Sequence, residues 1–270
     1  MAAYVAAANV VPLIPRPSRA AHLAGLVWTL VRTDFKARYH GTFAGFLWAL
    51  LKPLTMFLVL LGVFSFVFAG DPDYKVNLIV ALFLWDFFAE GTKVSLTSLL
   101  AKGYLITKAR FPTWIIVVTS TSNAVITLTV FTLVILGFLA ASGRAPSPGH
   151  FALFLAYLVC YFLMVIGFGL ASSVLFLRYR DLNQVWELTT QAGFFVAPIV
   201  YPLAILPERF HWYLYLWPPT LDIQLARMVL VKGEVPTLRA HAFLAAATAI
   251  ALAAGIALYH RHAPRAAENL

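Results

Sequence analysis

Long apolar stretches alternate along this chain with short polar connections, so the first question is which stretches can cross a bilayer. A hydrocarbon core of ~30 Å takes roughly 20 helical residues at 1.5 Å each. Six segments meet or approach that length, at about 46–69, 76–100, 113–141, 151–177, 184–201 and 240–259. Ahead of them, residues 20–38 place Leu23, Leu26, Val27, Leu30, Val31 and Phe35 at helical spacing, with His22, Thr29, Arg32, Thr33 and Lys36 largely opposite. That pattern predicts an amphipathic helix lying in the membrane interface, the alternative being an ordinary soluble helix packed on the membrane domain. Residues 203–238 hold two apolar pieces too short to cross, separated by Trp212, Tyr213, Tyr215, Trp217, Pro218 and Pro219. Broken apolar backbone with aromatic residues at headgroup level reads as re-entrant or interfacial helices. The expected fold is an all-α membrane protein: an N-terminal segment 1–45 with the interface helix, a six-span domain 46–260 with the re-entrant segment before its last span, and a tail 261–270.

Composition supports this reading. Of 270 residues 61% are hydrophobic and 11% charged, far from the roughly 45–50% and 25% of soluble domains. The net charge of +9 is scattered between apolar segments, which argues against a basic nucleic-acid face. It follows instead the rule that Lys and Arg collect in cytoplasmic loops. A cytoplasmic N-terminus leaves only Lys75, Arg144, Arg209, Arg227 and Lys232 outside and puts most basic residues inside, so both termini are expected in the cytoplasm. Pro12, Pro15 and Pro17 and the lack of a basic leader region argue against a cleaved signal peptide. The single cysteine, Cys160, excludes an intramolecular disulfide.

Candidate chemistry is sparse. There is no GxxxxGK[ST] phosphate loop, no HExxH and no GxSxG, so no catalytic residue and no metal site is expected. In the second span Asp86, Glu90 and Lys93 fall on one helical face, at spacings of four and three. Ionisable groups at membrane depth are costly and face protein or water; they mark either a hydrophilic pathway or conformational lock, or a structural Glu90–Lys93 pair. Ser120 to Asn123, and Gly167 with Gly169, read as helix-packing sites. The connections 101–112 and 178–187 are short, charged and suited to docking on a partner.

Three strings carry a family resemblance. They are RTDFKARYHGTFAGFLWALLKPL (32–54), with Asp34, Arg38, Tyr39, Gly45, Trp48 and Pro53; LITKARFPTW (105–114), with Lys108, Phe111 and Pro112; and RYRDLNQVWE followed by APIVYPLAILPE (178–208), with Arg180, Asp181, Pro198, Tyr201 and Pro207. Together they resemble the permeases of ABC exporters for cell-surface polysaccharides, the Wzm/TagG type that moves O-antigen, teichoic acid or related lipid-linked glycans. One departure is Trp217-Pro218-Pro219, where that family commonly has Asn-Pro. The resemblance implies a homodimer with two copies of a separate ATPase in the bacterial inner membrane, ATP and Mg being bound by the ATPase and no cofactor by this chain. It implies contacts with the ATPase through Lys102, Tyr104, Lys108, Arg110, Phe111, Arg180, Asp181 and Glu187. Aromatic rings offer sugars a flat apolar face, which makes Trp48, Phe57, Phe64, Trp186, Phe194, Phe195 and Tyr201 channel candidates. Arg32, Asp34, Lys36, Arg38 and Tyr39 of the interface helix are candidates for meeting a lipid headgroup. Rival readings are an ABC permease for drugs or small lipids, an ion-coupled carrier using Asp86, Glu90 and Lys93, and a membrane enzyme acting on a lipid-linked sugar.

Overall fold

The computed structural model describes residues 19–41, 45–108 and 112–264, and among them the chain is helical without strands. Ten helices follow in order: α1 (Arg19–Tyr39), α2 (Leu47–Phe64), α3 (Tyr74–Ala101), α4 (Gly103–Lys108), α5 (Trp114–Ala141), α6 (Pro148–Arg178), α7 (Leu182–Val196), α8 (His211–Tyr215), α9 (Pro218–Arg227) and α10 (Leu238–His262). A π-helical turn, Met228–Lys232, prolongs α9 and ends at Gly233, whose φ of 65° lies in the left-handed region that glycine adopts without strain. Side-chain caps start two of the long helices. Ser147 accepts from the His150 backbone N–H ahead of α6, and Thr237 from that of Ala240 ahead of α10.

Four helices, α2, α5, α6 and α10, are long and apolar enough to cross a membrane. α3 has the length, 28 residues, but carries Asp86, Glu90 and Lys93. It tolerates them because it is the hub of the bundle, packed against α5 and α6 on one side and α2, α7 and α9 on the others. Phe83 stacks on Phe131 of α5 at 4.1 Å and Phe88 on Tyr161 of α6 at 6.0 Å. Most of α3 is thereby enclosed by protein, which shelters Asp86 and Glu90, while Lys93 keeps an exposed position beside α7. α6 and α10 cross closely: a Cβ on Gly255 would lie 2.1 Å from the Gly167 carbonyl oxygen, so only glycine admits this approach. Gly169 is equally confined, against Ser95 of α3.

The expected fifth span, 184–201, differs. α7 has 15 residues, about 22 Å, and stops before Pro198, whose ring disfavours helix at Ala197. Residues 197–200 continue as irregular backbone, yet are buried. Carbonyls at that depth must be satisfied within the protein, and two side chains do so. The Tyr74 hydroxyl donates to the Val200 carbonyl at 3.0 Å. The guanidinium of Arg227, itself buried, donates to the carbonyls of Pro198 (2.6 Å), Ile199 (3.0 Å) and Asn77 (3.0 and 2.9 Å). Arg227, expected as an external loop charge, is instead a buried clamp joining α3, the 197–200 turn and α9.

The two ends of the bundle are distinct. At one, Arg144 of the α5–α6 turn pairs with Asp73 of the α2–α3 turn. At the other, Thr113 hydrogen-bonds Tyr259, and a cluster of Leu99, Ile116, Leu177 and Tyr259 gathers Leu105 and Ile106 of α4.

Candidate functional site

A groove of about 400 Å³ runs between α2 and α7 with α3 as its floor. Pro53, Met56 and Val59 of α2, Leu82, Trp85 and Ala89 of α3, and Phe194 of α7 make it mostly apolar, and Lys52 and Asp86 are the two charges in it. Asp86 and Lys52 also line an adjoining pocket of about 150 Å³, with Arg38, Tyr39, Glu90 and Thr127. α1 closes that pocket. Arg38 forms an ion pair with Glu90, and Asp34, four residues earlier on the same helix face, pairs with Lys102. One face of α1 is thereby tied to α3, while Arg32 and Lys36 remain exposed. Tyr39 packs its ring on Phe35 and Phe46 at 4.8 and 5.2 Å.

On the α7 side, Lys93 meets Glu187 at 3.6 Å. The Glu90–Lys93 pair considered from the sequence is therefore not formed. Residues three apart on a helix diverge by roughly 60°, enough here for Glu90 to face α1 and Lys93 to face α7. The same division leaves Asp86, Glu90 and Lys93 without a continuous relay.

Behind the groove lies an aromatic cluster. Trp186 of α7 packs on Phe168 at 4.1 Å and donates its indole N–H to Thr92 Oγ1 at 3.0 Å. Trp217 reaches Phe88 at 5.6 Å and both Trp85 and Trp186 at 6.4 Å, and Trp85 meets Phe194 edge-on at 5.7 Å. Gly193 makes room for it, since a Cβ there would lie 2.4 Å from Trp217 Cζ2.

The aromatic residues singled out from sequence separate accordingly. Phe194 lines the groove and Trp186 backs it. Trp48, 61% exposed, borders a shallow hollow with Arg38, Tyr39 and Gly45 beside the groove. Phe195 is 73% exposed on α7. Phe64 stacks on Phe68 at 6.3 Å. Phe57 turns away: it is buried, edge-on to Phe138 of α5 at 6.2 Å. Tyr201 lies beyond α7, its hydroxyl donating to the Phe195 and Val196 carbonyls. Trp85, Trp217, Lys52 and Met56 are not among the channel candidates read from sequence; the signal for Lys52 is a cation one residue before Pro53 in an otherwise apolar span. Of the residues expected at a partner contact, Lys102 is held by Asp34, Tyr104 is exposed on α4, and Lys108 ends that helix. Arg180 and Asp181 are exposed at the α6–α7 turn, with the Arg180 guanidinium 5.7 Å from the Phe176 ring. Glu187 faces Lys93, and Arg110 and Phe111 lie outside the described residues.

Residues 25–231 match the model of the ABC-2 type transporter family. The chain belongs to that family. This ABC-2 type transporter chain is 29% identical over 192 residues to an O-antigen export system permease protein RfbA of Klebsiella pneumoniae, covering 71% of this chain and 74% of the relative. It is 28% identical over 190 residues to the protein of that name from Myxococcus xanthus, covering 68% and 71%. Against the polysialic acid transport protein KpsM of Escherichia coli it is 24% identical over 241 residues, covering 86% and 92%. The family match runs from within α1 to the π turn, so every residue of the groove belongs to the ABC-2 type transporter unit.

Proposed function

We propose that this chain is the permease half of an ATP-driven exporter that carries a lipid-linked polysaccharide across the bacterial inner membrane. In this reading two copies face each other and join two copies of a separate ATPase, which binds ATP and Mg. The observation that carries it is the α2–α7 groove, a trough open on one side, lined by Met56, Trp85 and Phe194 and holding one charge of each sign. Isologous pairing of two such troughs makes a channel. Its apolar and aromatic wall slides past sugar rings without fixing their hydroxyls, and the names of the relatives point to polysaccharide cargo. Exposed apolar residues on both rims, Leu58 and Val63 of α2 and Leu188 of α7, suit burial against a second copy or lipid. α3, and α7 extended by its buried turn, complete six crossings, with both termini cytoplasmic by the positive-inside rule.

In this orientation α4 and the α6–α7 turn lie at the cytoplasmic end, where Tyr104, Lys108, Arg180 and Asp181 meet the ATPase. α1 rests at the inner leaflet with Arg32 and Lys36 toward anionic headgroups. The test is to co-express the chain with the ATPase encoded beside it, purify through a tag on this chain, and measure subunit ratio and ATP hydrolysis. An equimolar complex whose hydrolysis is uncoupled from glycan export by Lys108→Ala or Asp181→Ala supports the proposal. A chain that purifies alone and transports on an ion gradient overturns it.

A further inference from the structure

Past the outer end of the groove the chain encloses a second and larger space, of about 600 Å³. The α2–α3 turn, the segment from Ile199 to Glu208, and α9 with its π turn form its walls. The volume lies within the ~300–1,000 Å³ range of small-molecule sites and equals roughly twenty waters at ~30 Å³ each. The cavity sits on the same helix as the groove, since Asn77 lines one and Leu82 the other. A polymer leaving the groove along α3 meets it within about 8 Å.

Its wall mixes polar groups with apolar ones such as Ile199, Leu203 and Leu206, and is balanced in charge. Asp71 and Glu208 oppose Arg227 and Lys232. A further lining carboxylate, that of Asp73, is neutralised by Arg144, and His211 directs Nε2 to the Leu206 carbonyl at 2.9 Å. Arg227 spends its donors on the backbone carbonyls that shape the wall, so it is no free anion receptor. The side-chain nitrogen of Gln224 is buried at this wall with no hydrogen-bond partner among the described residues. An unpaired buried donor costs about 1–3 kcal/mol unless a guest or water accepts from it. Among the described residues no cluster of His, Cys, Asp or Glu is arranged to hold a metal ion. An amide donor, carboxylate acceptors and the rings of Tyr201 and Tyr215 are the groups that hold a hydroxyl-rich, uncharged ring.

We propose that this cavity is a binding subsite for uncharged sugar residues of the departing glycan, and that the exporter therefore carries a neutral polymer. The inference rests on the export reading above and narrows its substrate class. It also sets the chain apart from a relative named for polysialic acid, a polyanion that a charge-balanced wall does not favour.

The experiment titrates the purified complex of chain and ATPase with a neutral trisaccharide, mannotriose, and with an anionic one, trisialic acid, followed by saturation-transfer NMR. Two variants accompany it. Gln224→Leu removes the unpaired donor, and Glu208→Lys replaces a negative charge by a positive one at an exposed position. Mannotriose is expected to bind the unaltered protein and to weaken about fivefold in Gln224→Leu, the loss of one hydrogen bond. Trisialic acid is expected to bind only in Glu208→Lys. Trisialic acid binding the unaltered protein as tightly as mannotriose, or no mannotriose binding at all, overturns the proposal, and so does mannotriose binding indifferent to both changes. Subunit ratio and ATP hydrolysis of the same sample are read separately, so an ATP-driven complex without sugar at this cavity refutes the subsite and leaves the export function standing.

Discussion

Replacing Arg227 by Met tests whether the irregular turn after α7 depends on a single side chain. The substitution keeps most of the volume and removes every donor. Arg227 is the donor to the Pro198 and Ile199 carbonyls, whereas the Asn77 carbonyl also has its place in the α3 ladder. A buried carbonyl left without a partner costs ~1–3 kcal/mol, so two of them cost roughly 2–6 kcal/mol. Removing a buried cation with no carboxylate in contact returns part of that, and the expected net loss is about 3 kcal/mol. At ~2–4 °C per kcal/mol for a chain of this size, the thermal midpoint falls by about 6–12 °C. The assay is fluorescence-detected size exclusion after heating in detergent. Arg227→Lys, whose point charge reaches fewer carbonyls at once, is expected to fall between Met and the parent. A Met variant melting within a degree or two of the parent would refute the clamp.

Other expected outcomes follow the same geometry. Gly255→Leu drives a side chain into the Gly167 backbone and is expected to cost at least ~1–3 kcal/mol by overpacking, read in the same heating assay. Gly193→Ala displaces the Trp217 ring and is expected to shift tryptophan emission while the secondary structure seen by circular dichroism is retained. Trp186→Phe removes one hydrogen bond, expected at about 0.5–1.5 kcal/mol, whereas Thr92→Val also removes the hydroxyl's donation to the Phe88 carbonyl and should cost more; the double variant should cost little more than Thr92→Val alone. The Arg38–Glu90 pair is about one-third exposed on each side, so a double-mutant cycle is expected to return only ~0.2–1 kcal/mol of coupling, with the charge-reversed pair restoring it.

How far the sequence could be read depended on what kind of contact was at stake. The boundaries of α5, α6 and α10 follow from uninterrupted apolar runs and fall within a few residues of expectation, as does α1 from its two-sided pattern. α7 was read too long because Ala197-Pro198-Ile199-Val200 is as apolar as the helix before it. Hydropathy does not distinguish helix from irregular backbone held by side chains 28 to 126 residues away. Pro198 was the visible break. Arg227 stands alone in the apolar run LARMVLV, a signal for buried function at membrane depth, but its partners are carbonyls, which no side-chain pattern displays. Spacings of four and three predict one shared face for Asp86, Glu90 and Lys93, whereas Glu90 meets Arg38 of α1 and Lys93 meets Glu187 of α7. Which neighbour each meets depends on α1, packed on α5, and α7, packed on α3, bringing Arg38 and Glu187 to different sides of α3. The groove was legible only in its residue type: Phe194 and Phe57 read alike in sequence, and only packing turns one to the groove and the other to α5.

The clamp also sets an order on how the protein is made. Asn77 leaves the ribosome 150 residues before Arg227 and Pro198 29 residues before it. At ~5–20 residues per second, the turn after α7 waits roughly one to six seconds, and the Asn77 end of α3 about eight to thirty, before the cation that joins them exists. During that interval the insertion machinery or bound water must shelter the open carbonyls. A chain ending at residue 226 would keep them open for its whole lifetime and present itself to membrane proteases, whereas one ending after the π turn would already have closed them.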